Sequence, residues 1–273
     1  MNLSDAIQFT FEHRPAWKTG KGAGTARINA NHCLRILGDM DLMQIESRHI
    51  NCMSDQLLNE GKKPGTVNRI TAALSTILKT LRQYGYKVPT PEYVRQKESS
   101  ARPLFYTEDE IQKLIDTAAK LDDYYLLHDS ILFSLKTGCR QGEMLALTSD
   151  CIDLDAGEII FKNTKNGKDH YLPIPKDIYP VITRRIECST SEFLFEWRDK
   201  DQLLRALKNL QVMAGVPAGK VWHTIRHTTA TWLCERGVPL RAVMGVLNHS
   251  NVATTLRYAK ATLKSKADAL DLL

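Results

Sequence analysis

Side chains able to do chemistry are concentrated between His223 and Tyr258. This segment contains three short motifs, HTIRH at 223–227, LNHS at 247–250 and LRY at 256–258. Arginine can donate two parallel hydrogen bonds to phosphate oxygens, histidine can bind an anion or move a proton, and a tyrosine phenolate is a nucleophile. A site that holds a phosphate diester and attacks it with a phenol needs these groups. The segment therefore predicts an anion site beside a nucleophilic tyrosine.

Each of these side chains also has an ordinary structural explanation. A histidine and an arginine at HxxR spacing occur together by chance, and a histidine in a short turn, such as His249, commonly only completes the hydrogen bonds of that turn. A tyrosine on an amphipathic helix, as predicted for Tyr258, is usually part of the core. For His227 we expect packing or contact with a DNA backbone rather than catalysis. Only the ordered combination of residues can distinguish the two explanations.

Further candidates lie upstream of this segment. Arg140 and Glu143 are three residues apart at a predicted helix start, so they share one face of the helix. Arg140 follows Gly138 closely, where the unpaired N–H groups of a helix N-terminus attract anions. The alternative is an exposed ion pair. Lys165 lies beside the tip of a predicted β-hairpin, although charge alone does not rank it above the two other lysines of that loop.

The hydrophobic pattern divides the 273 residues into two predicted domains and a linker. Residues 1–87 form a helical domain, residues 88–103 are rich in proline, serine and charge as is typical of a linker, and residues 104–273 form a second domain with a C-terminal tail. The predicted helices of the first domain cover 3–12, 25–37, 47–60 and 64–84, with a loop over 14–24. The second domain is also mostly helical, with strands predicted at 151–154, 158–161 and 170–174. The expected fold class is mainly α with a small β-sheet.

Positive charge is concentrated in the first domain. Residues 1–103 carry 15 Lys and Arg against 9 Asp and Glu, whereas residues 104–273 carry 22 of each kind. A polyanion such as DNA would be attracted first to the N-terminal part. A mildly basic surface without a partner is an equally good explanation of charge alone. The side chains expected to contact DNA are Lys18, Lys21, Arg27, Lys62, Lys63 and Arg69.

Composition argues against several classes of protein. The six cysteines are scattered without a CxxC pair, which argues against a zinc site and against a disulfide framework. The sequence contains no P-loop and no cluster of acidic residues, so neither a metal nor another cofactor is expected. Asp5, Gln8 and Glu12 interrupt the N-terminal apolar residues, and no apolar run approaches the roughly 18 residues that a membrane span needs. We expect a cytoplasmic protein without membrane contact.

The chemistry-bearing residues, taken in order, resemble the signature of a known family. Their order resembles that of the tyrosine recombinases, the phage integrase family: Arg140 with Glu143, a hairpin lysine, HxxR, a later histidine and a final tyrosine. The resemblance rests on the segments TGCRQGEMLAL, HTIRHTTATWLCERGVPLRAVMGVLNHS and NVATTLRYAK. It covers residues 104–260 closely. The first domain is similar in size and helical character to the core-binding domain of that family.

The resemblance implies a site-specific DNA recombinase that needs neither metal nor ATP. Tyr258 would attack the scissile phosphate and form a 3′-phosphotyrosyl link, with His223 as the general base. Lys165 would protonate the leaving 5′-oxygen. Because the link conserves the energy of the phosphodiester, the 5′-hydroxyl of a partner strand can attack it and complete strand exchange.

The resemblance also assigns the groups that surround the phosphate. Arg140, Arg226 and His249 would bind its non-bridging oxygens, and Glu143 would orient neighbouring side chains without touching DNA. The sequence departs from the family pattern at Asn248, where glycine is usual, and at Thr224, where an acidic residue is common. Asparagine tolerates the left-handed conformation that a glycine would take, so we expect the turn to survive.

The implied partner is double-stranded DNA at attachment or recombination sites, bound by a homotetramer, with a directionality factor or a host DNA-bending factor as optional partners. We therefore expect a DNA-associated protein that integrates or excises a phage or another mobile element. A DNA-relaxing enzyme like the type IB topoisomerases and a catalytically idle DNA-binding relative remain alternatives. The target sequence, a role in chromosome resolution and the preferred direction stay open. The apolar tail at 265–273 is expected to pack on a neighbouring protomer, or else on its own domain.

Overall fold

The computed structural model describes residues 1–98, 104–121, 125–164 and 167–259. Lys165 and the tail at 265–273 lie outside these described residues. The chain divides into two compact units, Met1–Ser100 and Ala101–Leu273. Each unit has a hydrophobic core of its own.

Helices account for almost all regular structure in the described part of the first unit. They are α1 (Leu3–His13), α2 (Pro15–Lys18), α3 (Ala23–Leu37), α4 (Ser47–Asn59) and α5 (Pro64–Gln83). The apolar stripe of α5 supplies the centre of the core, where Ile70, Leu74 and Ile77 are fully buried. The predicted loop over 14–24 is wrong in part, because it contains α2. That helix begins at a proline, whose fixed φ suits the first helical position.

The predicted linker is packed where the structure describes it. Residues 88–98 form no helix or strand, yet they lie against α5. The side chain of Asn68 on α5 accepts a hydrogen bond from the backbone N–H of Gln96 and donates one to the carbonyl oxygen of the same residue, each at 2.9 Å. Val88 and Tyr93 pack against the core of the first unit. Composition therefore predicted an irregular backbone but not its packing.

The second unit combines helices with one small sheet over its described residues. Its helices are α6 (Glu108–Ala119), α7 (Tyr125–Thr137), α8 (Gln141–Leu145), α9 (Tyr179–Cys188), α10 (Lys200–Met213), α11 (Trp222–Glu235), α12 (Leu240–Val246) and α13 (Val252–Leu256). The strands β1 (Ile152–Asp153), β2 (Glu158–Phe161) and β3 (His170–Pro173) are antiparallel in the order β1-β2-β3. The paired residues Ile159 and Leu172 turn the sheet's apolar face into the core. The predicted fold class, mainly α with a small β-sheet, is confirmed.

Helix α11 packs against α7 and brings site residues to the middle of the second unit. Thr229 on α11 donates a hydrogen bond to the carbonyl oxygen of Leu135 on α7 at 2.7 Å. At the start of α11, Thr224 Oγ1 accepts a hydrogen bond from the backbone N–H of Val221 at 3.0 Å. Thr224, one of the two departures from the family pattern, therefore satisfies a free donor at a helix N-terminus.

Helix α6 begins with a capping box. Thr107 Oγ1 accepts from the backbone N–H of Glu110, and the Glu110 carboxylate accepts from the backbone N–H of Thr107. This reciprocal capping box fixes the start of α6 at Glu108. Among the described residues, none of the helices is both long and apolar enough to cross a membrane.

Candidate active site

Arg140 and Glu143 hold each other at the N-terminus of α8. Arg140 Nη1 donates to Glu143 Oε1 at 2.6 Å, and the backbone N–H of Arg140 donates to Glu143 Oε2 at 2.7 Å. The two side chains are only 23% and 11% exposed. Arg140 Nη2 also donates to the carbonyl oxygen of Asn248 at 3.3 Å. One carboxylate thus caps the helix and orients the guanidinium.

Arg226 lies deep in the second unit, with 5% of its surface exposed. Its Nη1 donates to the carbonyl oxygen of Gly138 at 2.6 Å, and its Nη2 donates to that of Leu247. Burial lowers the pKa of Arg226 to about 10, and the charge of Arg140 adds to this effect. Carbonyl dipoles hold the guanidinium without neutralising it, so a bound anion would be stabilised there.

The carbonyl group that accepts from Arg226 belongs to a glycine that the packing requires. Gly138 ends α7 with φ +62, in the left-handed region that favours glycine. A Cβ at this position would lie 2.7 Å from Leu247 Cδ2 and 3.3 Å from Thr229 Cγ2. A larger residue would therefore separate the end of α7 from the turn at residue 247 and move the acceptor away from Arg226.

The turn 247–249 joins the two arginines to the β-hairpin. Asn248 has φ +48, so the prediction of a left-handed asparagine is confirmed. Its Nδ2 donates to Thr164 Oγ1 on the hairpin loop at 3.1 Å. On β3, His170 Nε2 lies 3.2 Å from the carbonyl oxygen of Val246. Described residues of the hairpin are therefore attached to the turn at Asn248 and to the end of α12 at Val246.

His249 faces the site from the end of this turn. Its Nδ1 lies 2.9 Å from Thr255 Oγ1, and its ring is parallel to the ring of Tyr258, with centroids 6.5 Å apart. The pKa of His249 is lowered to about 4. Burial is the largest cause, and the charges of Arg226 and Arg140 also lower it. In the absence of an anion, this imidazole is neutral at pH 7.

Tyr258 is 4% exposed, and its phenol is hydrogen-bonded inside the site. Tyr258 Oη and His227 Nδ1 are 2.6 Å apart. Burial raises the pKa of the phenol, and the charges of Arg257 and Arg226 lower it to a smaller extent. The prediction that Tyr258 lies on a helix is wrong by two residues, since α13 ends at Leu256 and the tyrosine follows in a turn.

His223 and His227 are four residues apart on α11 and lie on the same face. Their ring centroids are 4.5 Å apart, in an edge-to-face arrangement. His223 is exposed and His227 is half-buried. Although much of the side chain is exposed, loss of hydration where the ring meets the protein lowers the pKa of His223, and Arg226 and Arg140 lower it further. His223 thus lies at the open side of the histidine pair, and His227 lies on the side of the phenol.

The arginines and histidines of the site lie close enough to affect one another's charge. Burial has the largest effect on the pKa of Arg226, His223 and His249, and Arg140 lowers all three as well. Such mutual destabilisation of positive charge is relieved when an oxyanion binds. The arrangement can therefore hold a phosphate beside a phenol. Within the described ranges, no group of three or more His, Cys, Asp and Glu side chains is placed to hold a metal ion.

Basic side chains predicted to contact DNA lie in two surface depressions of the first unit. Lys18 and Arg27 line one of them. Lys63 and Arg69 line the other, together with Lys97. Two predicted side chains remain. Lys21 is exposed, and Lys62 is half-buried.

Sequence reasoning assigned His227 to packing or DNA contact and missed its bond with the phenol. The contact joins residues 31 positions apart, so no local pattern reveals it. One signal was available, because the i,i+4 spacing of His223 and His227 places both imidazoles on one face of α11. Lys165 stays a prediction, since it lies outside the described residues.

Comparison with known proteins gives the same family as the ordered residues. The model of the phage integrase family matches residues 105–264. The tyrosine recombinase XerA of Thermococcus kodakarensis is 31% identical over 217 residues, which cover 74% of this chain and 74% of that protein. The tyrosine recombinase XerC of Alcanivorax borkumensis is 26% identical over 252 residues, covering 86% of this chain and 82% of its own length.

Solved structures share the fold over nearly the whole chain. The integrase of transposon Tn1549, in complex with transposon right end DNA, superimposes with a TM-score of 0.81 at 19% identity and covers 99% of each chain. A lambda integrase tetramer bound to a Holliday junction gives a TM-score of 0.77 at 18% identity, covering 95% of this chain and 78% of that one. Because the family model spans more than half of the sequence and the XerA relative is 31% identical over most of it, the chain belongs to the tyrosine recombinase (phage integrase) family.

Proposed function

We propose that this tyrosine recombinase cuts and rejoins DNA at specific sites through a 3′-phosphotyrosyl intermediate on Tyr258, and that it integrates or excises a phage or another mobile element. The observation that carries the proposal is the convergence of two arginines and three histidines around one buried phenol. These groups come from the N-cap of α8, from α11 and from the turn 247–249. Family membership indicates the class of reaction, and the arginines, histidines and phenol of the site are the side chains that such a reaction needs.

Binding of the scissile phosphate is the first requirement of this reaction. Arg140 and Arg226 each keep guanidinium nitrogens within the site, and both are anchored to neighbouring backbone. With His249 they would bind the non-bridging oxygens and stabilise the charge of the pentavalent transition state. Fixed cations here do what a divalent metal does in many nucleases, so we expect cleavage in the presence of EDTA.

Proton movement is the second requirement. Phenols have an ordinary pKa near 10, and burial raises that of Tyr258, so a base must take the proton during attack. The family resemblance gives that role to His223 and gives protonation of the leaving 5′-oxygen to Lys165. Glu143 would act through Arg140, because its carboxylate fixes the guanidinium at 2.6 Å.

Binding of double-stranded DNA would use the excess positive charge of the first unit. The depression lined by Lys63, Arg69 and Lys97 offers three cations to a phosphate backbone, beside the one carboxylate of Glu98. The Tn1549 integrase is bound to DNA, and the lambda integrase is a tetramer on a Holliday junction. We extend both properties to this chain and propose a homotetramer that acts on two duplexes, in the cytoplasm and associated with DNA.

Two alternative functions use the same fold. A DNA-relaxing enzyme like the type IB topoisomerases would cut one duplex without pairing it with another. A catalytically idle relative would bind DNA without forming an adduct. The set of oriented groups around Tyr258 argues against the idle relative, since a site without chemistry does not require buried arginines and a buried phenol in contact with a histidine.

The first experiment tests for covalent attachment and finds the preferred DNA site in the same step. The protein is incubated in EDTA with a pool of nicked duplexes that carry a random central segment, and DNA linked to protein in detergent is recovered and sequenced. We expect wild type to select one sequence and Tyr258→Phe to recover none. Equal recovery by Tyr258→Phe would refute the nucleophile, and adduct formation only with magnesium would refute the metal-free reaction. Pairing of two selected duplexes by wild type would separate a recombinase from a relaxing enzyme.

A further inference from the structure

The contact between Tyr258 and His227 is the strongest feature that the established family assignment leaves without a role. We propose that His227 is a catalytic residue, which orients the Tyr258 phenol and takes its proton when the phenol attacks the phosphate. The inference rests on the proposed function, because it requires Tyr258 to be the nucleophile. It replaces the expectation that His223 is the base.

Geometry supports this assignment directly. His227 Nδ1 lies 2.6 Å from the oxygen that would attack, which is within the range required of a general base. The two rings are tilted by 39° with centroids 5.6 Å apart, so the contact is made by the polar edge of the imidazole. His223 meets His227 ring to ring and lies on the exposed side of the pair.

Protonation states are compatible with transfer in this direction. Burial lowers the pKa of His227 to about 4, and the neighbouring charges that lower it further are His223, Arg257, Arg226 and His249. At pH 7 the imidazole is therefore neutral. In the tautomer with the hydrogen on Nε2, Nδ1 accepts the hydrogen bond that the protonated phenol donates.

Phosphate binding would strengthen this base at the moment it is needed. The neighbouring cations that disfavour an imidazolium at His227 are Arg257 and Arg226, and Arg226 is proposed to bind the phosphate. Negative charge on a bound phosphate offsets these cations, and the additional charge of the pentavalent transition state offsets them further. The basicity of His227 is thus expected to rise only in the complex with DNA, while the free enzyme keeps Tyr258 protonated.

The step balances in atoms and charge. The Tyr258 Oη–P bond forms, the phenol proton moves to His227 Nδ1, and the bond between phosphorus and the 5′-oxygen breaks. The 5′-oxygen leaves as a hydroxyl with a proton from the general acid, which is Lys165 in the proposed function. In rejoining, the incoming 5′-hydroxyl attacks phosphorus and gives its proton back to the general acid, Lys165 in the proposed function. The Tyr258 Oη–P bond breaks, and the imidazolium of His227 returns its proton to the departing phenolate.

The test compares substitutions at the two histidines on the duplex that wild type selects. His227→Asn can place an amide oxygen near the position of Nδ1 and hold the phenol, but the amide takes no proton at neutral pH. His227→Phe keeps the ring packing and loses the hydrogen bond. His223→Asn is the matched control on the same helix face. DNA affinity and the rate of adduct formation in a single turnover are measured from pH 6 to pH 10.

We expect His227→Asn to bind DNA as wild type does and to form adduct on the order of 100-fold more slowly at pH 7, because general acid–base catalysis commonly contributes about that much. Its rate should keep rising by about tenfold per pH unit, since hydroxide must replace the lost base, whereas the wild-type rate should level off. His223→Asn should lower the rate and still level off.

Three outcomes would overturn the inference. The first is that His227→Asn forms adduct at the wild-type rate and with the wild-type pH profile. Another is a normal His227→Asn beside a slow His227→Phe, which would leave His227 only the role of orienting the phenol by a hydrogen bond. The third is a rate that fails to level off in His223→Asn instead. If wild type forms no adduct on any duplex, the proposed function itself fails, and that result is distinct from the other three.

Discussion

At the scale of single residues, the phenol of Tyr258 is kept neutral by its surroundings. Burial raises its pKa, and its hydrogen-bond partner His227 is neutral at pH 7 because its own pKa is lowered to about 4. A free phenolate beside water would be open to unproductive reactions. The free protein therefore holds an uncharged phenol, and in the proposed mechanism its activation depends on the anion that it attacks.

The two half-buried histidines of the site should make the folded state sensitive to acid. The pKa values of His227 and His249 are lowered from 6.5 to about 4, so the unfolded chain takes up these protons first. The free energy of unfolding should therefore fall as the pH drops from 6.5 towards 4, by at most about 1.4 kcal/mol per pH unit for each histidine. Both rings retain some exposure, and solvent screening reduces this figure.

Urea unfolding at a series of pH values between 7 and 4 measures this dependence. The variant His227→Asn lacks one of the two groups, so its stability should fall less steeply than that of wild type. Identical slopes in the two proteins would place the acid sensitivity elsewhere in the chain.

Two substitutions of Glu143 can separate its contribution to stability from its role in orienting Arg140. Glu143→Ala removes the helix cap and the partner of Arg140, and should lower the free energy of unfolding by about 1 kcal/mol and slow adduct formation. Glu143→Gln keeps an oxygen for the cap but loses the carboxylate, so it should fold normally and still react slowly. Calorimetry and single-turnover kinetics measure the two effects. A fully active Glu143→Ala would contradict the orienting role.

At the scale of elements, periodicity predicted the long helices, and non-local contacts decided the rest. The helix predicted over 64–84 appears as α5, because its apolar stripe is a local signal. The position of Tyr258 just beyond α13 was not predictable, because burial of its ring in a small cluster with Val243 and Leu247 competes with helix continuation. The bond to His227 depends on the same tertiary packing.

The turn 247–249 is an element whose chemistry the sequence did predict. Asn248 adopts φ +48 and donates to Thr164 Oγ1, so it combines the backbone freedom of glycine with a side-chain contact. Asn248→Ala should cost about 1–2 kcal/mol in strain beyond the lost hydrogen bond. Asn248→Gly relieves the strain and loses only the hydrogen bond. Urea unfolding should rank wild type above Asn248→Gly and Asn248→Gly above Asn248→Ala, and equal stability of the two variants would refute a strained turn.

At the scale of the whole molecule, charge and chemistry are divided between the two compact units. The first unit carries the excess of lysine and arginine, and the second holds the clustered arginines and histidines with the phenol. Sequence composition predicted the uneven distribution of charge, because the charged residues of each segment can be counted without knowing the fold. Which basic side chains share a depression was beyond composition, since Lys63 and Lys97 are distant in sequence.

Salt dependence can test the DNA-binding role of the first unit. The double variant Lys63→Ala, Arg69→Ala removes two cations from one depression. The slope of log affinity against log salt concentration should become shallower by about 2, because each phosphate contact contributes roughly 0.9. Lys79→Ala removes an exposed lysine outside that depression and serves as the matched control. Equal slopes for the double variant and wild type would exclude these side chains from the interface.

The attachment chemistry of the adduct tests the central proposal most directly. Wild-type protein is linked to the selected nicked duplex in EDTA, the adduct is digested with protease and nuclease, and the modified peptide is sequenced by mass spectrometry. We predict a nucleotide joined through its 3′-phosphate to Tyr258, and a released strand whose 5′-hydroxyl accepts phosphate from a kinase with no phosphatase treatment. Attachment at another residue, or linkage through a 5′-phosphate, would contradict the proposed mechanism.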